Sequence, residues 1–399
     1  MALTLVDLGT APPSNAYLTA DRLGSPETYF PLRVLVCETC WLVQTEDFAR
    51  ADELFDADYA YFSGYSTSWL AHAESYVEQM AERFRLNADS FVVEVAANDG
   101  YLLQYVRARD IPCLGIEPTT NTAAAARAKG IPIIEAFFGA RLGREIAART
   151  HADLVTANNV LAHVPDINDF VEGITALLKP TGVATFEFAW VLRLLAENQF
   201  DTIYHEHFSY LSLATTARVL AANGLSVFDV EELPTHGGSL RVFAQRADSG
   251  QRPPTSAIED LLAREKSAGL DTSACYVSFQ AKAERVKNDF LRFLLDANAG
   301  GERVAAYGAA AKGNTLLNFA GVRSDMIEFV VDANPSKQGR FLPGSRIPIV
   351  GEERLREAKP DYVVVLPWNL RSEITRQIAY IADWNGRFVT AVPRLEVGQ

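Results

Sequence analysis

Cysteine is scarce in this chain. Four in 399 residues are too few for a disulfide framework. No apolar run approaches the roughly 20 residues that a bilayer-spanning helix needs. The opening MALTLVDLGTAPP has no basic segment leading into an apolar stretch, so no signal peptide is visible and a cytoplasmic protein is expected. Positive charge is also short: 37 Lys and Arg stand against 50 Asp and Glu, for a formal net charge of −13. That balance argues against broad binding of nucleic acid or an anionic membrane, though it leaves room for a local basic pocket that holds a phosphate. Long internal repeats and low-complexity segments are missing too.

What is present is an ordinary globular composition, 48% apolar and 22% charged, in a chain long enough for two or three domains. Residues 1–66 hold short apolar runs such as FPLRVLVC and WLVQ, broken by Pro, Gly and polar residues; they read as a small β-rich module. Helical periodicity runs from Trp69 to Phe84 and leads into a second region, 67–250. There the strand-like FVVEVAA, CLGIEP, IPIIEA, DLVTANNV and VATFEFAW alternate with helix-like YLLQYVRAR, TAAAARAKG and INDFVEGITALL. This order predicts a parallel sheet with helices on both faces; SVFDVEEL and SLRVFAQR close it. In region 251–399 one or two Lys/Glu/Ala-rich helices over about 254–298 precede a second alternating unit. Its strands are RVAAYGA, MIEFVVDAN and DYVVVLPW, and its helix is KGNTLLNFAG. The expected fold class is α/β: a central Rossmann-like sheet, a small β-rich N-terminal module and a C-terminal Rossmann-like domain.

The first chemical signal is FVVEVAANDGY, Phe91 to Tyr101. A strand ending in small residues and an Asn-Asp-Gly turn lets a ligand approach the backbone, and Gly100 can take a positive φ. Open α/β sheets bind ligands at this end of the strand. Glu117 ends the next strand roughly 20 residues on, where a carboxylate can accept both ribose hydroxyls of an adenosine. NAD and S-adenosylmethionine share that arrangement. The turn Ala97-Asn98-Asp99-Gly100 is not G-x-G-x-x-G, and an acidic group there repels a diphosphate. Glu94 and Asp99 suit a ligand carrying an ammonium and a sulfonium. Ala96, Asn98, Gly100, Asn158 and Asn159 complete the candidate set for S-adenosylmethionine. A tight turn beside a solvated strand end is the bland alternative.

The second signal is IYHEHFSYLS, with Tyr204, His205, Glu206 and His207. Two His flanking one Glu diverge on a helix, so the pattern alone is weak evidence for a metal and lacks H-E-x-x-H spacing. General acid–base work fits better, because His titrates near neutrality and a nearby carboxylate can orient it; a polar strand end with one satisfied His is the alternative. His163, after the fourth strand, should face the same crevice. DYAYFSGYS supplies Tyr59, Tyr61 and Tyr65, packing residues by default, although phenols can stabilise an enolate oxygen.

Eight segments together resemble one family. They are VCETCWLVQ, DYAYFSGYS, EVAANDGYLL, NNVLAHVPD, YHEHFSYLS, GGSLRVF, YGAAAKGNTLLN and NPSKQGRFLPGSRIPI, and they run in family order over nearly the whole chain. The family is that of the nucleotide-sugar C-methyltransferases of antibiotic deoxysugar pathways. The resemblance implies a zinc-binding N-terminal module, a central class I methyltransferase domain and a C-terminal Rossmann-like domain. It also implies methylation at C3 of a dTDP-4-keto-deoxysugar, with His207 as the base. Tyr204, Glu206, His163 and Tyr59 match the other polar residues around the sugar, and Tyr65 joins the substrate side. Lys312, Asn314 and Lys337 are candidates for the diphosphate, Lys312 lying beside a helix N-terminus that attracts phosphate. The family's zinc module uses two CxxC pairs, whereas only Cys37 and Cys40 are present here. Either the start codon was called too late or the site has been lost, and two thiolates make half a structural zinc site. His72 is a third ligand candidate that nothing else supports. A nucleotide-sugar substrate, no nucleic acid, no membrane, and a monomer or small homo-oligomer are expected. The alternatives are C-methylation of another enolisable small molecule, an NAD-dependent oxidoreductase, and a binding protein without turnover.

Overall fold

The computed structural model describes residues 2–48, 54 and 62–398. Among the described residues, 17 strands form three sheets.

The central sheet has seven strands. They are β4 (Val92–Val95), β5 (Cys113–Ile116), β6 (Ile133–Ile134), β7 (Ala152–Asn158), β8 (Leu178–Ala189), β10 (Leu225–Leu233) and β11 (Ser239–Arg246), in the order β10-β11-β8-β7-β4-β5-β6. Strands β4 to β8 pair in parallel. Strand β11 runs antiparallel to both of its neighbours. This is a Rossmann-like α/β sheet with one antiparallel strand inserted near its edge. Each β4 residue is buried, as expected of a β-branched run covered on both faces. From β4 the chain steps outward to β5 and β6, then returns to β7 on the other side. The order therefore reverses at β4, which opens a crevice at the carboxyl ends of β4 and β7.

Helix Thr67–Phe84 covers one face of this sheet. Ser66 caps its start by accepting from the Trp69 amide, and Arg85, in the left-handed region, ends it. Tyr76 is buried in the sheet and bonds Thr185.

The N-terminal sheet joins β1 (Ala2–Ala11), β2 (Phe30–Cys37), β3 (Val43–Thr45) and β9 (Ser209–Tyr210). Strand β9 comes from the middle of the chain. It carries residues just past the histidine segment into the N-terminal sheet, antiparallel to β3.

The third sheet has the order β14-β13-β12-β15-β16-β17. It is built from β12 (Val304–Tyr307), β13 (Val330–Val331), β14 (Ile349–Val350), β15 (Tyr362–Val365), β16 (Arg387–Thr390) and an antiparallel β17 (Glu396–Gly398). MIEFVVDAN contracts to the two residues of β13, because the amides of Met326 and Ile327 turn back onto the Arg323 carbonyl. Helix Phe279–Ala299 lies between this sheet and the N-terminal one. Leu5, Val34, Phe290, Val304 and Val364 share one core. Helix Ser256–Ser267 instead packs on the central sheet, where Glu265 binds the Trp190 indole and the Leu213 amide. Among the described residues no helix is long and apolar enough to cross a membrane.

Candidate active site

Two clusters meet at the carboxyl edge of the central sheet. The first is the turn after β4. Ala96 (φ 56°), Asn98 (φ 48°) and Gly100 (φ 75°) all take the left-handed region. At Gly100 glycine is required by space as well: a Cβ would lie 2.4 Å from Ile131. Glu117 is buried, and its carboxylate accepts from the Asn98 amide at 2.8 Å and the Thr119 amide at 3.0 Å. The carboxylate that ends β5 thus holds the β4 turn in shape; the Thr119 hydroxyl donates to it as well, which leaves one lone pair on Oε2 for a ligand. Glu94 Oε2, Asp99 Oδ1 and Asn159 Nδ2 are buried with no hydrogen-bond partner among the described residues. Burial pushes the Glu94 carboxyl well above the ordinary carboxylate value, and the charges of Asp99 and Glu117 add to that. A cationic ligand would reverse the balance. Three unpartnered polar atoms and a glycine-lined approach, with acidic groups that repel a diphosphate, fit the ammonium and adenosine of S-adenosylmethionine.

This crevice has a cover. The amide of Ser63 donates to Asn98 Oδ1 at 2.9 Å. A Cβ on Gly64 would stand 2.3 Å from Asp99 Oδ2, so only glycine lets this segment lie against the turn. Tyr65, expected on the substrate side, is exposed and packs edge-on against Phe62. The structure does not bring it together with the other candidates. Tyr59 and Tyr61 lie outside the described residues.

The second cluster is the histidine segment. His207 Nδ1 lies 2.9 Å from the Thr202 carbonyl, and a carbonyl only accepts. The proton therefore sits on Nδ1, and Nε2 presents a lone pair. His163 repeats the arrangement, with Nδ1 donating to the Glu206 carbonyl at 2.8 Å. The two rings meet edge to face, centroids 4.5 Å apart, and Tyr204 lies 4.0 Å from His207 on another side. Burial, then His163, holds His207 well below the ordinary imidazole value. Burial takes His163 down to about 4. Both rings are neutral at neutral pH. His205 points the other way. Its Nε2 reaches the carbonyls of Phe30 and Pro31 and pins the segment to β2. Thr45 on β3 donates to the His207 carbonyl at 2.6 Å. The N-terminal sheet thus fixes the segment from two sides.

Distant parts of the chain complete this cluster. Asn15 Nδ2 donates to both Glu206 oxygens, at 2.7 and 2.9 Å. From the third sheet's helix Ala311–Ala320, Thr315 bonds the Ile203 carbonyl. Lys312 donates to Asn369 at 2.6 Å and lies over the Trp368 ring. The Trp368 indole in turn binds buried Asp201 at 2.8 Å. Burial raises Asp201 to about 6. Lys312 thus joins the cluster; the two other expected anion ligands bond elsewhere. Asn314 donates to the Ser14 carbonyl. Lys337 binds the Ala309 carbonyl and faces Asp332 at 3.6 Å.

Sequence reasoning missed Asn15, Asp201, Glu187 and His236. Glu187, on β8 and fully buried, binds His72 at 2.9 Å, Arg241 at 3.1 Å and Thr235 at 3.0 Å. Burial raises its carboxyl, but His72 and Arg241 more than offset that, and it stays below the ordinary value. This pairing turns His72 away from any metal role. One signal was in reach: the chain has six histidines, and five of them lie in the two clusters or against their supports.

Cys37 and Cys40 remain free thiols at the end of β2. Amide donors of Cys40 and Thr39 hold the Cys37 thiol below its ordinary value. Among the described residues no three His, Cys, Asp or Glu converge as a metal set. The described donors therefore do not complete a tetrahedral zinc site.

Comparison with known proteins agrees with this layout. A family model described as "Methyltransferase domain" matches residues 69–230. One described as "C-methyltransferase C-terminal domain" matches 234–393, and one described as "Putative zinc binding domain" matches 2–55. The C-methyltransferase NovU of Streptomyces niveus is 37% identical over 99% of this chain and 94% of its own length. Among solved structures, the magnesium protoporphyrin IX methyltransferase of Synechocystis aligns with 44% of this chain and 79% of its own, at 16% identity and a TM-score of 0.35. The PH0226 protein of Pyrococcus horikoshii aligns with 47% and 95%, at 12% identity and a TM-score of 0.39. At such scores these two likenesses carry no functional argument.

Proposed function

Because the chain belongs to the C-methyltransferase family, as an S-adenosylmethionine-dependent enzyme, we propose that it methylates C3 of a dTDP-linked 4-keto-deoxysugar through an enolate. The observation that carries this reading is the pair of neutral imidazoles, His207 and His163, each with its Nδ1 proton held by a backbone carbonyl.

A sugar carbon is not a nucleophile until a neighbouring ketone acidifies its proton. His207 Nε2 takes that proton. The C–H electron pair moves into the ring as an enolate, and the negative charge gathers on the ketone oxygen. The Thr202 carbonyl steadies the imidazolium that forms. Tyr204, tilted against the His207 ring, offers a phenol to the oxyanion. His163 keeps an unprotonated Nε2 and accepts from a sugar hydroxyl; Glu206, held by Asn15, does the same. Lys312 serves the diphosphate. On the donor side, Glu117 takes a ribose hydroxyl, while Glu94 and Asp99 take the ammonium; Asn98 and Asn159 line the rest of the crevice. Bound there, S-adenosylmethionine supplies an electrophilic methyl group. Holding the enolate carbon in line with it is the task of both clusters.

Incubation with labelled donor and a panel of dTDP-4-keto sugars, with product masses read out, tests the proposal. One added methyl on carbon, with the C3 proton lost, is expected. A panel in which no keto sugar gains label sinks it.

A further inference from the structure

The turn Pro234–Gly238 holds three consecutive residues in the left-handed region: His236 (φ 53°), Gly237 (φ 87°) and Gly238 (φ 114°). Glycine takes such angles freely; histidine is strained there. Strain of this kind persists only where the surroundings over-determine it, and it gathers at functional sites. Here the surroundings do so. Thr235 is tied to buried Glu187, and Gln199 binds the Gly237 carbonyl at 2.8 Å. The Trp190 amide binds the Gly238 carbonyl at 3.0 Å. A Cβ on Gly237 would meet Trp368 at 2.4 Å, and one on Gly238 would meet Arg193 at 2.6 Å.

All this anchors a ring whose outer nitrogen has nothing to do in the protein itself. His236 Nε2 is buried and lacks a hydrogen-bond partner among the described residues. Trp69 packs edge-on against the ring at 5.0 Å and also stacks on Tyr101, beside the β4 turn. Lys312, Glu187, His72 and His163 are all near enough to act on its charge, and burial takes it to about 4. The ring is thus a neutral imidazole where the two clusters meet. An unpaired buried polar atom is costly, and a ligand atom is the usual remedy at such a place.

We propose that His236 is a further acceptor-contacting residue, whose Nε2 hydrogen-bonds a polar oxygen of the acceptor and whose strained turn, anchored by Glu187, sets that contact. The inference rests on the acceptor reading given above. Two variants test it. H236G removes the imidazole and relieves the strain, while H236N keeps a residue that tolerates the same backbone region. For each, kcat/KM for a dTDP-4-keto sugar that the wild type methylates should fall about tenfold or more. Calorimetric affinity for S-adenosylmethionine should stay within about twofold, and the H236G Tm should equal or exceed that of the wild type. Wild-type kcat/KM in H236G overturns the contact. So does a parallel loss of donor affinity and Tm in both variants, which is what a purely structural histidine gives. A wild type inactive on every keto sugar overturns the acceptor reading as well, and so separates the two failures.

Discussion

The β4 crevice and the imidazole cluster sit side by side but are assembled in opposite ways. The crevice is local. Residues 94–100 and Glu117 belong to adjacent parallel strands, and the turn is shaped by backbone angles and by two amide bonds to one carboxylate. The cluster is convergent. Its groups come from before β2 (Asn15), after β7 (His163), the loop 201–207 and the third sheet (Lys312), held together by bonds spanning up to 191 residues for the acceptor cluster's own side chains. A local site depends on conformation and a convergent site on docking. Substitutions should therefore separate the two: donor affinity should track the first and turnover the second.

The largest separation is expected from His207→Ala. Losing the proposed base should cost about 10²- to 10⁴-fold in kcat, with S-adenosylmethionine affinity within about twofold of wild type by calorimetry. A comparable loss in donor affinity would merge the two clusters into one unit. Glu117→Ala is the converse. Two amide donors and the ribose lose their carboxylate, so the donor Kd should rise about ten- to a hundredfold, while kcat at saturating donor falls far less. Unchanged donor affinity would remove Glu117 from the site.

The pH profile sharpens the comparison next. The proposed proton abstraction needs His207 neutral. Its folded pKa lies well below the ordinary 6.5, through burial and then through His163. The base is therefore available at neutral pH and is lost only as pH falls through that lowered value. The acid limb of kcat/KM should accordingly lie below 6.5, with a flat profile across neutrality. A limb at or above that value would mean another group is the base.

The same contrast decides what could be read from the sequence. FVVEVAANDGY and Glu117 were legible because a turn's composition dictates its backbone angles, and the strand–helix alternation dictates which strand ends are neighbours. His207 and His163 were legible through resemblance; that they meet edge to face was not. Asn15 and Glu187 carried no signal, since an Asn after two prolines and a Glu in VATFEFAW look like loop and strand until the fold closes. Likewise nothing in MIEFVVDAN forecast the turn that shortens β13, because β-branched composition is equally at home in a buried loop. Asn314 and Lys337 show a different limit. Their side chains matched a phosphate site by type, but Ser14 and Asp332 engage them in the folded chain.

The smallest of these effects tests convergence most directly. Asn15 touches neither ring. It donates twice to Glu206, whose backbone carbonyl in turn holds the Nδ1 proton of His163. Asn15→Ala should therefore act at one remove. Glu206 loses two donors and swings, and the acceptor KM rises about three- to tenfold, the worth of one to two net hydrogen bonds. Donor affinity and Tm should change little, because Asn15 lies in a turn and supports no strand. Asn15→Asp should be worse than Ala, since it sets a second carboxylate against Glu206. If Asp and Ala are equal, Glu206 is not held by this contact. If donor affinity falls as much as acceptor affinity, the N-terminal segment supports both clusters, and the division between a local and a convergent site fails at its first residue.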